Sequence, residues 1–180
     1  MPEIEITSIN GFDEVLCAFR ATAHGREVNV TPMVAYMMQH SPIRERRFRI
    51  EGVWADSVHV HLVRHHVGVE HYVDSHRPDR GYEGEDGRDA PRAHMVTLNA
   101  ESLINIAQKR LCYAAEGPTN ETFRMIKQSL QVVDFDLSCF LVPQCVYRNG
   151  LCAEGSRSCG CLAQNMEEYA YYKELGFITC

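Results

Sequence analysis

The stretch from Met95 to Arg110 constrains the fold more than any other part of the sequence. Met95 to Leu98 is a short apolar run that reads as a strand, and Asn99 follows at once as a helix cap. Leu103, Ile106 and Ala107 then recur at helical spacing as far as Arg110. A strand that runs straight into a helix predicts a mixed chain rather than an all-helical or all-strand one.

The remaining segments fill in that picture. Ile4 to Ile9 alternates apolar and polar residues and is expected to be a strand, as is Phe48 to Trp54. Phe12, Val15, Leu16 and Phe19 predict a helix to about Ala23. Thr31-Pro32 is a good helix start, and that helix should stop near His40, before Ser41-Pro42. Asp56 to His66 stays open. Val58, Val60 and Leu62 alternate with histidines as in a strand, yet Asp56 or Ser57 could cap a helix to Arg64. Arg80 to Arg92 is a glycine-rich charged loop. Gly117-Pro118 breaks the chain, and Thr119 or Asn120 should cap a long helix to about Phe140. Pro143 to Gly160 looks irregular, and Met166 to Leu175 should be a last helix ended by Gly176. The expected class is α+β, with mixed helices and an antiparallel sheet.

Size and composition bound the function. The chain has 180 residues, 45% of them hydrophobic, enough for one ordinary core. It contains no long apolar run and no basic, apolar leader, so neither a membrane nor export is expected, and a cytoplasmic place is. A net charge of −6 argues against a nucleic acid polymer as partner, while a local arginine cluster could still bind a nucleotide phosphate.

Six of the eight cysteines crowd the last quarter of the chain. In a reducing compartment these are not expected to form a disulfide framework. Cys145, Cys152, Cys159 and Cys161 could close a tetrahedral zinc site, although their spacings are not Cys-x2-Cys pairs; plain thiols are the alternative. Cys17 and Cys112 lie in apolar stretches and are expected to be buried.

Three clusters carry chemistry. Arg64-His65-His66, with Ser75-His76-Arg77 further on, suits an anionic oxygen, because guanidinium donors fork onto it; a solvated basic turn is the plain alternative. Asn99, Asn105 and Arg110 share a helix that, if it lines a pocket, offers an amide to a ring edge and a guanidinium to an anion. His59, His61, His65 and His66 lack the nearby carboxylate of a cupin or metalloprotease motif, so no metal is expected there.

The first two clusters together resemble the flavin-dependent thymidylate synthases. Arg64-His65-His66 stands where that family carries Arg-His-Arg, and Ser75 and Arg77 match its serine and arginine one residue apart. Thr97-Leu98-Asn99-Ala100-Glu101-Ser102-Leu103-Ile104-Asn105 resembles its Asn-Ala-x-Ser-Leu-x-Asn, with Arg110 at the matching fifth position beyond. Ser41-Pro42 and Ala18-Phe19-Arg20-Ala21-Thr22 match further motifs, so the resemblance spans about residues 15 to 135. The chain departs at His66 (arginine in the family), at His71-Tyr72 (an Asn-Glu pair), at Pro78 (tyrosine) and at Arg44 (a flavin-contacting glutamate).

That resemblance implies a flavin-dependent thymidylate synthase-like domain over 1–142 and a cysteine-rich extension over 143–180 packed on it. It implies a homotetramer using FAD, reduced by NADPH, with methylenetetrahydrofolate as the one-carbon donor. The product would be a C5-methylated deoxypyrimidine monophosphate, by default dTMP from dUMP. Hydroxymethylation of dUMP or dCMP is the alternative, and a non-catalytic zinc- or nucleotide-binding module a further one. By carry-over, Thr22, Ser41, Arg64, His66, Asn99 and Asn105 would contact FAD. Ser75, Arg77 and Arg110 would bind the nucleotide, and His65, Arg64 and Arg110 would act in the chemistry. No cysteine nucleophile would be needed.

Overall fold

The computed structural model describes residues 4–84, 87–160 and 167–176. Its frame is a four-stranded antiparallel sheet: β1 (Ile4–Ser8), β2 (Arg47–Ala55), β3 (Val69–Val73) and β4 (Pro91–Asn99), ordered β1-β2-β4-β3. Period-two alternation sets the faces. Phe48, Ile50, Trp54, Val96, Leu98 and Val69 point into the core, and Arg47, Arg49 and Glu51 point out. Against the apolar face lie α3 (Asp56–Leu62), α4 (Ala100–Arg110) and α5 (Gly117–Val133), contributing Val58, Leu103, Ile106, Phe123 and Ile126. Two further helices, α1 (Asp13–Thr22) and α2 (Pro32–Met38), complete that side. The expected α+β class, with helices and an antiparallel sheet, is the one observed.

The Thr31 and Asn99 caps form. Thr31 Oγ1 accepts from Val34 N, and Asn99 Oδ1 accepts from Ser102 N at 2.9 Å. The open segment Asp56 to His66 resolves as the helix α3, so His59 and His61 lie on a helix and not on a strand. β3 goes unforeseen, because Val69-Glu70-His71-Tyr72-Val73 is short and half polar. β4 is longer than Met95 to Leu98, since its first half pairs with β2 from Pro91 onward.

The long helix expected to reach Phe140 instead ends at Val133. Asp134 turns to φ −153° and starts a short helix, α6 (Phe135–Ser138). The cause is tertiary. Asp134 Oδ2 takes Arg46 Nε–H at 3.0 Å and the Tyr36 hydroxyl at 2.9 Å, while its Oδ1 caps Leu137 N. Arg46 is 6% exposed, and its Nη1 also donates to Ser8 Oγ and to the Asn10 carbonyl, so the pair is enclosed and held by several hydrogen bonds. Gly117-Pro118 opens α5 rather than breaking the chain before it, so neither Thr119 nor Asn120 is its cap. The Asn120 amide donates to the carbonyls of Arg110 (3.0 Å) and Cys112 (3.1 Å), satisfying the open C-terminal end of α4. Beyond α6 come α7 (Gln144–Tyr147), a turn at Gly155–Arg157 and α8 (Glu167–Glu174). Cys17 is exposed and Cys112 half-buried, against the expectation that both are buried: Cys17 falls on the solvent side of α1, whose core side is Val15 and Phe19. Cys161 and Cys180 lie outside the described residues.

Candidate functional site

The turn after α3 and the end of α4 meet at one point. Arg110 Nε–H donates to His65 Nε2 at 3.1 Å, and its Nη2 donates to the His61 carbonyl at 3.1 Å. An arginine can only donate, so His65 Nε2 carries the lone pair and the ring hydrogen sits on Nδ1. Burial, and then the charges of Arg110 and Lys109, hold this imidazole down at about 4. His65 is therefore a neutral donor at physiological pH. Burial also lowers Arg110, and the charge of Arg64 nearby lowers it further. Two guanidiniums and Lys109 thus stand around His65 on an otherwise acidic chain. Gathered cations of this kind suit an anionic ligand with oxygens to fork onto.

The backbone of the same turn is pinned from two sides. Ser102 Oγ donates to the Val67 carbonyl at 2.8 Å. Gly68, at φ +67°, lies so close to α4 that a Cβ there would come within 2.6 Å of Asn99 Nδ2 and of Ser102 Oγ. On the other side a chain of imidazoles reaches the turn from beneath. Trp54 Nε1–H donates to His94 Nδ1 at 3.3 Å, which leaves His94 its hydrogen on Nε2. That Nε2–H points to His71 Nδ1 at 3.0 Å, and His71 Nε2–H donates to the His65 carbonyl at 2.8 Å. His94 is 3% exposed, and burial, with His59 and His71 adjacent, holds it down at about 3. His59 Nδ1 approaches His94 Nδ1 to 3.4 Å, and burial lowers His59 too.

Of the sequence-predicted residues, the fold gathers Arg64, His65, Asn99 and Arg110 around one turn. His66 is exposed, with its Nδ1 3.2 Å from the Arg64 carbonyl. Thr22 ends α1 on the surface, its hydroxyl donating to the Phe19 carbonyl at 3.0 Å. Ser41, itself exposed, opens the turn Ser41–Glu45, which buries Pro42 and Ile43 and is tied to α4 by the fork of Arg44 on Glu101. Asn105 is on the exposed face of α4. Ser75 and Arg77 follow β3, with the Arg77 fork on Asp79 at 2.6 and 2.9 Å. Among the described residues none of these six hydrogen-bonds to the His65–Arg110 pair.

Sequence reasoning missed His94, His71, Trp54 and Asn120. His94 carried a usable signal: it shares the period of Val96 and Leu98, so an inward-facing histidine was readable from the strand. Asn120 carried none, because its partners come from another helix. Among the described residues, no three His, Cys, Asp or Glu side chains converge to hold a metal ion as they stand.

No family model matches the sequence, and no curated protein matches it. Among solved structures, the chain is similar to the UMP/dUMP methylase PolB from Streptomyces cacaoi, crystallised with 5-Br dUMP. The two share 10% identity with a TM-score of 0.57, over 77% of this chain and 94% of that one. At that identity the likeness bears on the fold. The helices and four-stranded antiparallel sheet of this chain form the thymidylate synthase-like fold that its motifs led one to expect.

Proposed function

We propose that this chain transfers a one-carbon unit from methylenetetrahydrofolate to C5 of a deoxypyrimidine monophosphate, with dUMP to dTMP as the leading reaction. One observation carries the reading. His65 and Arg110, 45 positions apart, are in direct contact, with Arg64 close enough to act on Arg110. These are three residues that the family resemblance assigns to flavin and nucleotide. A neighbour in fold that is a UMP/dUMP methylase supports it.

The residues fit a flavin on their own chemistry. Asn99 spends Oδ1 on its cap, and its Nδ2 faces the space that Gly68 leaves open. Asn105 offers an exposed amide, and Arg64 and His65 offer donors to an electron-rich ring. Thr22, Ser41 and His66 complete the assigned flavin contacts. When bound and reduced by NADPH, FAD supplies the hydride. Arg110, with Nε and Nη2 used inside the chain, presents Nη1 to the phosphate or the pyrimidine edge. Ser75 and Arg77 are assigned to the same nucleotide. In a homotetramer they would reach it from another copy. His65, neutral with hydrogen on Nδ1, donates to a developing negative charge without adding a full positive one.

A specific observation favours hydroxymethylation as the second reading. His66 replaces an arginine and turns back toward the Arg64 carbonyl, so one cation is missing where folate and nucleotide would meet. The decisive experiment incubates the protein with dUMP or dCMP, methylenetetrahydrofolate, FAD and NADPH, and weighs the product. A methyl product supports the first reading and a hydroxymethyl product the second. Absence of turnover on both substrates, from protein that binds neither FAD nor nucleotide, removes both.

A further inference from the structure

The last turn of α4 opens on a cavity of about 270 Å³. Gln108, Lys109 and Arg110 form one wall, and Gln144, Cys145 and Cys152 come from α7 and the tail on another side. Arg110 therefore belongs both to this cavity and to the pair with His65.

Gln108 is the residue that a plain packing role does not explain. It is 8% exposed, on the buried side of α4 with Ile104 and Ala107. Among the described residues its side-chain amide makes no hydrogen bond. The contrast with Asn120 is direct, since that amide donates to two carbonyls. Buried amides are almost always matched, and leaving one unmatched costs stability that a leucine of similar size would not cost. An unmatched amide on a cavity wall is satisfied by what enters the cavity.

The rest of the wall says what that is. Lys109 and Arg110 make no ion pair among the described residues, so two cations are available to one phosphate dianion. The dipole at the end of α4 accounts for cations there, but not for the amide. Glu154 is the one carboxylate on the wall, and it is exposed. Thiols and Ala114, Ala115 and Ala153 supply apolar surface for a flat ring. The volume is small for a ligand pocket and suits a mononucleotide better than a dinucleotide.

We infer that Gln108 reads the base edge of the pyrimidine nucleotide in this cavity, while Lys109 and Arg110 hold its phosphate. The identity of the ligand rests on the function proposed above. A glutamine amide sets one acceptor beside one donor. Its Oε1 accepts from uracil N3–H while its Nε2 donates to O4. With the amide turned over, Oε1 accepts from the cytosine amino group and Nε2 donates to N3. No neighbour in the chain fixes the amide, so both bases are admitted.

The cavity thiols report the location without any substitution. The full chain with excess FAD is treated with iodoacetamide, with and without dUMP at ten times its dissociation constant, and each cysteine is followed by peptide mass spectrometry. Alkylation of Cys112, Cys145 and Cys152 should slow about ten-fold, in proportion to the unliganded fraction. Cys17, exposed on α1, should react unchanged. Gln108→Leu should weaken dUMP and dCMP about ten-fold each by calorimetry, and the ligand-free variant should melt no lower than the unmodified chain. If that variant fails to fold, or melts lower, the amide is structural and its reading of the base is overturned. Unchanged nucleotide affinity in Gln108→Leu overturns it too, because the amide then serves water alone. A chain that binds dUMP while its cavity thiols react at their free rates removes this site and leaves the proposed function standing. A chain that binds neither dUMP nor dCMP removes both.

Discussion

Acid should weaken this protein through its buried imidazoles, and the loss can be read at a single residue. Burial holds His94 at about 3 and His65 at about 4, both below the ordinary 6.5. In the unfolded chain both bind protons near 6.5, so the unfolded state takes up more protons between that value and the folded ones. Stability is therefore full above pH 6.5 and falls as pH drops. Each pH unit costs up to about 1.4 kcal/mol per histidine. From pH 6.5 to 5, the enclosed His94 costs about 2 kcal/mol. Half-exposed His65 adds no more than about 1 kcal/mol after solvent screening. Urea unfolding at pH 7.5 and pH 5, followed by fluorescence of Trp54, reads this directly. Trp54 is the sole tryptophan, and its indole N–H is bonded to His94 itself. The expected loss is about 2–3 kcal/mol. His94→Leu should start about 2–4 kcal/mol lower, because Trp54 Nε1 and His71 Nδ1 lose their partner. It should then lose clearly less between the two pH values. Equal or greater stability at pH 5 in the unmodified protein, or an unchanged pH dependence in His94→Leu, refutes the chain of neutral imidazoles.

Three further outcomes follow from the geometry. Arg110→Ala should weaken dUMP or dCMP binding about ten-fold or more, with FAD affinity changing less, in parallel calorimetric titrations; equal loss of both ligands would make Arg110 structural. Arg46→Met leaves Asp134 enclosed without its cation and should cost about 3–5 kcal/mol, a fall of roughly 6–20 °C in Tm by calorimetry. Gly68→Ala puts a Cβ into the left-handed region and against Asn99 and Ser102, and should cost about 1–3 kcal/mol; a stabilised variant would show that the turn does not sit as described.

What could be read in the sequence was what local chemistry decides. The Thr31 and Asn99 caps, the alternation of β2 and the helical spacing of α4 each state themselves within a few residues. Where distant residues decide, the reading failed for physical reasons. The apolar spacing runs on through Phe135, Leu137 and Phe140, and only the pull of Arg46 and Tyr36 on Asp134 breaks the helix. Asn120 looks like a cap but serves the end of another helix. In the site, motif spacing identified Arg64, His65, Asn99 and Arg110, and the fold brings them together. Of the supports beneath them, His94 lies outside every motif, and His71 entered only as a departure from one. Cys112 is the same lesson in reverse: its apolar neighbours suggested an inert core thiol, and the end of α4 carries it into the cavity with the tail.

The contact between the turn at 65–68 and the first and last turns of α4 also limits how such a chain can diverge. Arg110 reads the ring of His65, Ser102 reads the carbonyl of Val67, and Asn99 tolerates only a hydrogen at residue 68. Three interlocking fits allow neither segment to be exchanged alone. A chimaera that imports 63–69 from another chain of this fold without its 97–110 should fold poorly, whereas one that imports both as a cassette keeps its own register. Any change at this junction is then a change of two strips of sequence at once.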